Sequence, residues 1–260
     1  MIASPLDRVA DVVTFPARAV GAQAAAMVSG AAGQVREWSA NEVDDWGRDD
    51  GFTNRVWAMS KMRWSTSVGG ADNVPRRAGA LIVVNARRFA MAPVFAALAI
   101  GAAVDRPVRF VGRPDVAPVG PLMQRMGGLL PIADELEGAL RASQLVVLGA
   151  DHQISNQRCG TVDHRLVGAA VAAKVRVLPA ATVSVSLRRE ARVEIGRPAH
   201  PGPHRRGPLA ELELADLVER RIDDLLDELG GTLPGTPLDW VPVDWLPWVP
   251  ARLASAIGTT

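Results

Sequence analysis

Four short apolar runs recur between stretches of helical text: Ala80–Val84 (ALIVV), 107–112 (PVRFVG), 145–150 (LVVLGA) and 175–180 (VRVLPA). This alternation constrains the 260-residue chain more than any other feature. A strand that is apolar on both sides of its pleat must be covered on both faces. Strands of that kind separated by helices predict an α/β fold, a mostly parallel central sheet flanked by helices. Helices are expected over 91–103, over 121–128 with Gly127 or Gly128 as a left-handed cap, and in ELEGALRAS and VGAAVAAK ahead of the third and fourth strands. Residues 184–198 add a β pair, and a strand and turn marked by Gly69, Gly70 and Asp72 precede Ala80.

The flanks read differently from this centre. Residues 5–37 are expected to form one or two Ala-rich helices, too poor in large apolar side chains to hold a core alone and so expected to pack on the domain or on a membrane surface. From Asn41, read as a helix cap, a helix carries Trp57, Met59, Met62 and Trp64. Near the other end, Leu212, Leu214, Leu217, Val218, Ile222, Leu225, Leu226 and Leu229 fall on one helical face that stops at Gly230. The last segment, TPLDWVPVDWLPWVP, alternates Trp and Pro too densely for a helix or an inner strand and is expected to be extended. These changes divide the chain into an N-terminal extension (1–40), a central domain (41–231) and a Trp/Pro-rich tail (232–260).

Composition excludes several classes. Hydrophobic residues make up 48% of the chain and charged residues 22%, which describes a chain able to fold. A formal net charge of +1 offers nucleic acid no general attraction. A single cysteine, Cys159, allows no internal disulfide, and no Cys/His spacing resembles a metal site, so neither metal nor cofactor is expected. The start shows no signal-peptide pattern. The longest uncharged apolar run, 89–104, falls short of the roughly 20 residues that span a bilayer and reads as a buried or interface helix. A cytoplasmic protein, peripheral to the inner face of the plasma membrane, is the expectation.

Beyond these patterns, the chain from about Trp46 to Gly230 resembles the glycerophospholipid (lysophospholipid, 1-acylglycerol-3-phosphate) acyltransferase superfamily. DDWGRDD (44–50), GGADNVPRRAGALIVVNA (69–86), 107–132, VRVLPAATV (175–183) and ARVEIGRP (191–198) are similar to successive blocks of that family. Asn85, Gly120, Pro121, Gly127, Pro179 and Gly196 keep its framework. The family's first block reads N-H-x-x-x-x-D, whereas this chain has Asn85, Ala86, then Arg87, Arg88, Phe89, Ala90 and Met91. The resemblance implies a histidine that takes a proton from a lipid hydroxyl attacking a thioester, and an aspartate that orients it. Ala86 accepts no proton and Met91 orients nothing, and the substrate-binding arginine expected near Ala133 is missing. Loss of a general base costs about 10²–10⁴-fold in rate.

Besides a purely structural subunit, two functions fit such a reactive edge. One is that of a pseudoenzyme that binds phospholipid or an acyl thioester, or that regulates an active acyltransferase partner. The other is that of an active acyltransferase with Asp151 and His152, at the end of the third strand, as a substitute base, although neighbouring strand-end side chains point opposite ways. Arg87 and Arg88 offer two guanidinium groups for a lipid phosphate, with a solvated surface pair as the plain alternative. Arg188, Arg189 and Arg192 are expected on an exposed β edge. Asp163 reads as the cap of the helix that follows it, and His200 and His204 as solvated loop residues. Trp240, Trp245 and Trp248 suit the headgroup layer of a membrane or a partner, or else fold back over the domain.

Overall fold

A computed structural model describes residues 43–63, 65–85, 92–150, 159–184, 190–200 and 207–229. Its centre is a seven-stranded sheet, with β1 Ser65–Gly69, β2 Ala80–Val84, β3 Val108–Val111, β4 Gly128–Leu129, β5 Leu145–Gly149, β6 Arg176–Ser184 and β7 Glu190–Ile195. The order across the sheet is β1-β7-β6-β2-β5-β3-β4, and every neighbouring pair is parallel except the β6–β7 hairpin. β2 and β3 are buried at every residue, as their unbroken apolar runs require. Helices α1 Asp50–Arg63 and α2 Ala92–Val104 pack on one face; α4 Ala133–Arg141, α5 His164–Ala172 and α6 Pro208–Glu228 cover the other, and α3 Val119–Arg125 precedes β4. Alternate strand residues divide between two cores: Leu81, Val83, Val146 and Leu148 meet α4, α5 and α6, while Ile82, Val84, Val147 and Phe110 meet α2. The apolar run at 89–104 thus supplies a helix buried along most of its length.

Three expectations need correction. The segment after Asn41 does not begin a helix at once: residues 43–49 form a turn closed by a Val43–Asp49 bridge, with Gly47 at φ 84°. Asp49 starts α1 instead, its Oδ1 accepting from Phe52 N at 2.8 Å. The strand carrying Arg192 is not an edge: β1 adds beside β7, and so β7 is an inner strand. Arg192 therefore lies within the sheet, facing solvent and paired with Glu194 at 2.9 Å on the same face. Arg188 and Arg189 lie outside the described residues. On α6 the buried stripe is Ala210, Leu214, Ala215, Val218, Ile222 and Leu226, and Leu212 is exposed. A helix can display a broad apolar stripe and still bury a narrower face set by its neighbours.

The 43–49 segment carries the chain from one face of the sheet to the other beside β3 and β4. Trp46 packs on the α4 side, while Phe52 lies in the α2 core. Arg109, fully buried on β3, is ion-paired to Asp44 and lies 6.0 Å from the Trp46 ring. Its Nε also donates to Gln144 Oε1 at 3.1 Å. Arg125 pairs with Asp49 at 2.5 Å and sits over Phe52. A polar motif thus fastens the domain's first helix to its sheet edge.

Candidate functional site

Parallel sheets place ligands beyond the carboxyl ends of their strands, and here the ends of β2, β5 and β6 lie side by side. Asn85, the residue after β2, is 1% exposed and replaces a rung of the ladder with its side chain. Its Nδ2 donates to Thr182 O at 3.0 Å, and its Oδ1 accepts from Thr182 N at 2.6 Å. The Thr182 hydroxyl adds a third bond, to Asn85 Oδ1 at 3.1 Å. A primary amide presents a donor and an acceptor at the spacing of a peptide group, so it satisfies both β6 backbone groups as a strand residue would. β2 ends one residue earlier, at Val84. On the other flank, Ala150 N donates to Val84 O at 2.8 Å, which sets the end of β5 against the end of β2.

Cys159 opens the segment leading into α5, and α6 holds its backbone. Asp223 Oδ1 accepts from Cys159 N and Glu219 Oε1 from Val162 N, both at 2.6 Å. Charge-assisted bonds of that length fix the segment leading into α5. Burial pushes the Cys159 thiol well above the ordinary cysteine range, and the nearby Asp223 and Glu219 carboxylates push it further. Cys159 is therefore a buried neutral thiol rather than a nucleophile.

Several glycines have steric reasons. A Cβ at Gly120 would stand 2.5 Å from Pro114 O, and one at Gly128 would stand 2.8 Å from Met123 O. Gly127 adopts φ 93° as the left-handed cap after α3. Gly196 N donates to Pro179 O at 2.8 Å, which ties the end of β7 to β6.

Ala86, Arg87, Arg88 and Met91 lie outside the described residues, as do Asp151, His152, Trp240, Trp245, Trp248 and His204. Their sequence positions adjoin one edge in two cases: residue 86 follows the Asn85 clamp, and 151 follows Ala150 beside it. Asp163 does cap α5, its Oδ1 accepting from Arg165 N at 2.8 Å. His200 is exposed. Among the described residues no three His, Cys, Asp or Glu side chains converge as metal ligands would, and no helix is long and apolar enough to cross a membrane.

Two buried arginines, Arg48 and Arg109, escaped the sequence reading. Burial lowers the pKa of each, and Asp50 and Asp44 respectively oppose that shift. The signal for them was the acid-rich DDWGRDD motif, whose Asp44 and Asp50 serve as their counter-charges.

No family model matches this sequence, and no curated protein matches it. Among solved structures, it is similar to the 1-acyl-sn-glycerophosphate (LPA) acyltransferase PlsC from Thermotoga maritima. The two share 14% identity and superpose with a TM-score of 0.50, over 66% of this chain and 79% of that one. Identity that low speaks to architecture alone, and the architecture agrees: the described chain is an α/β domain with an acyltransferase-like fold.

Proposed function

We propose that this protein is an acyltransferase-fold pseudoenzyme, which binds phospholipid or an acyl thioester at the cytoplasmic face of the membrane or regulates an active acyltransferase partner. One observation carries the reading: the Asn85–Thr182 clamp is intact, while the next residue is Ala86 where the resemblance calls for a histidine. Met91 stands where the orienting carboxylate belongs. Framework retained without proton-transfer groups leaves binding as the use of the fold. Arg87 and Arg88 suit a phosphate, and the tail tryptophans suit a headgroup layer or a partner surface.

The active reading has one favourable feature of its own. The end of β5 is bonded directly to the end of β2, and Asp151 is the next residue in sequence after Ala150. Protein purified from its native cells, with bound lipid and co-purifying chains identified by mass spectrometry, tests the binding reading. Phospholipid or an acyltransferase in the preparation is the expected result, and the absence of both would remove its basis. Vesicle flotation of the full chain and of one ending at Gly231 tests the tail: the shortened chain should float less, and equal flotation would assign those tryptophans to packing.

A further inference from the structure

A cavity of about 250 Å³ opens between α1, α2 and the start of β3, at the end of the sheet opposite the Asn85 clamp. Its floor is apolar at Ala97, Leu98 and Val108, all buried. The other walls are polar, with Thr53, Asn54, Asp50 and Asp105 among the lining residues, and two donors on them lack hydrogen-bond partners. Arg48, 8% exposed, lines the cavity, and its Nε has no hydrogen-bond partner. Asp50 Oδ1 lies 2.9 Å from this nitrogen, close enough for a charge contact but without hydrogen-bond alignment. Trp57, further along α1, also lines the cavity, and its buried indole Nε1 has no hydrogen-bond partner. Buried N–H groups are paired in most proteins, so two unpaired donors on one cavity mark acceptors still to come. The other arginine there, Arg106, is already engaged with the carbonyls of Pro75, Ala78 and Ser143.

We infer that this cavity is a binding site for a small carboxylate on a short apolar stem, its oxygens taken by Arg48 Nε and Trp57 Nε1. Two donors match the two oxygens of a carboxylate. A phosphate would bring a second negative charge towards the Asp50 and Asp105 carboxylates that also line the cavity. The apolar floor takes the stem, and the exposed Asp50 is a stand-in for the ligand's charge. The Asp50 side chain is 68% exposed, so its hold on Arg48 is screened and easily displaced. The site stands apart from the reactive edge of the sheet and does not depend on whether catalysis survives there.

The test is titration of the full chain with butyrate, followed through indole N–H signals in ¹H–¹⁵N NMR spectra, with the Trp57 signal identified by its loss in Trp57→Phe. Butyrate should move that signal saturably, while n-butanol and inorganic phosphate should leave it in place. Asp50→Asn, which keeps the size of an exposed side chain, should tighten butyrate by about threefold by removing the competing carboxylate. Arg48→Lys should weaken it about tenfold or more, since an ammonium does not reproduce the guanidinium Nε. An unmoved Trp57 signal, an equal response to n-butanol or phosphate, or an affinity unchanged by Asp50→Asn would overturn the assignment.

Discussion

At the residue scale, Asn85 and Cys159 are two buried groups whose roles can each be tested by a single substitution. Asn85→Leu removes the amide that serves both backbone groups of Thr182 and leaves them buried without partners, at an expected cost of about 2–3 kcal/mol in denaturant unfolding. A loss below about 1 kcal/mol, the worth of one ordinary hydrogen bond, would mean the clamp does not hold β2 to β6. Cys159 should resist alkylation by iodoacetamide in the folded protein and react fully once unfolded. Its thiol pKa is raised by folding, so its contribution to stability is complete below about pH 8.5, the value of a free thiol, and declines as the pH rises further. Cys159→Ala should flatten that alkaline decline, and an unchanged slope in thermal melts between about pH 8 and pH 10 would contradict the account.

At the scale of elements, the 43–49 segment is the part of the fold whose role could be read only from the structure. Asp44 accepts from Trp46 N, Arg48 N and the buried Arg109 guanidinium. Stripping one partner from a fully buried ion pair costs about 3–5 kcal/mol. The Asp44 side chain is 42% exposed, and solvent there screens the pair. Asp44→Ala is therefore expected to cost about 2–3 kcal/mol in chemical denaturation, against less than about 0.5 kcal/mol for its exposed neighbour in Asp45→Ala. Equal effects from the two would show that the motif is only a solvated charge run. The central strands were legible because each is covered on both faces and therefore apolar throughout. The place of β1 was not, since STSVG carries no mark of its partner, and pairing with β7 joins residues far apart in the chain. For the same reason Arg192 was expected on an edge: the sequence shows an alternating strand but not which neighbour covers it. α6 was legible as a helix, yet the burial of Leu214 and exposure of Leu212 follow from packing against β6 and α5 rather than from spacing.

At the scale of the whole molecule, the mostly parallel sheet and its two-sided helical cover are the α/β acyltransferase-like architecture expected from the sequence. The candidate site was legible in its frame, because glycines with steric demands and an asparagine that replaces a strand rung leave fixed letters in the sequence. Ala86, Met91, Asp151 and His152 are known by position alone, so their chemistry has to be measured. The central claim is a retained fold without its usual proton transfer, and it is most directly tested by thioester-dependent acylation of lysophosphatidate with the purified chain. The account predicts no turnover above the protein-free background, since a missing general base alone costs about 10²–10⁴-fold. Turnover that Asp151→Ala or His152→Ala abolishes would contradict it and establish an active enzyme with a relocated base.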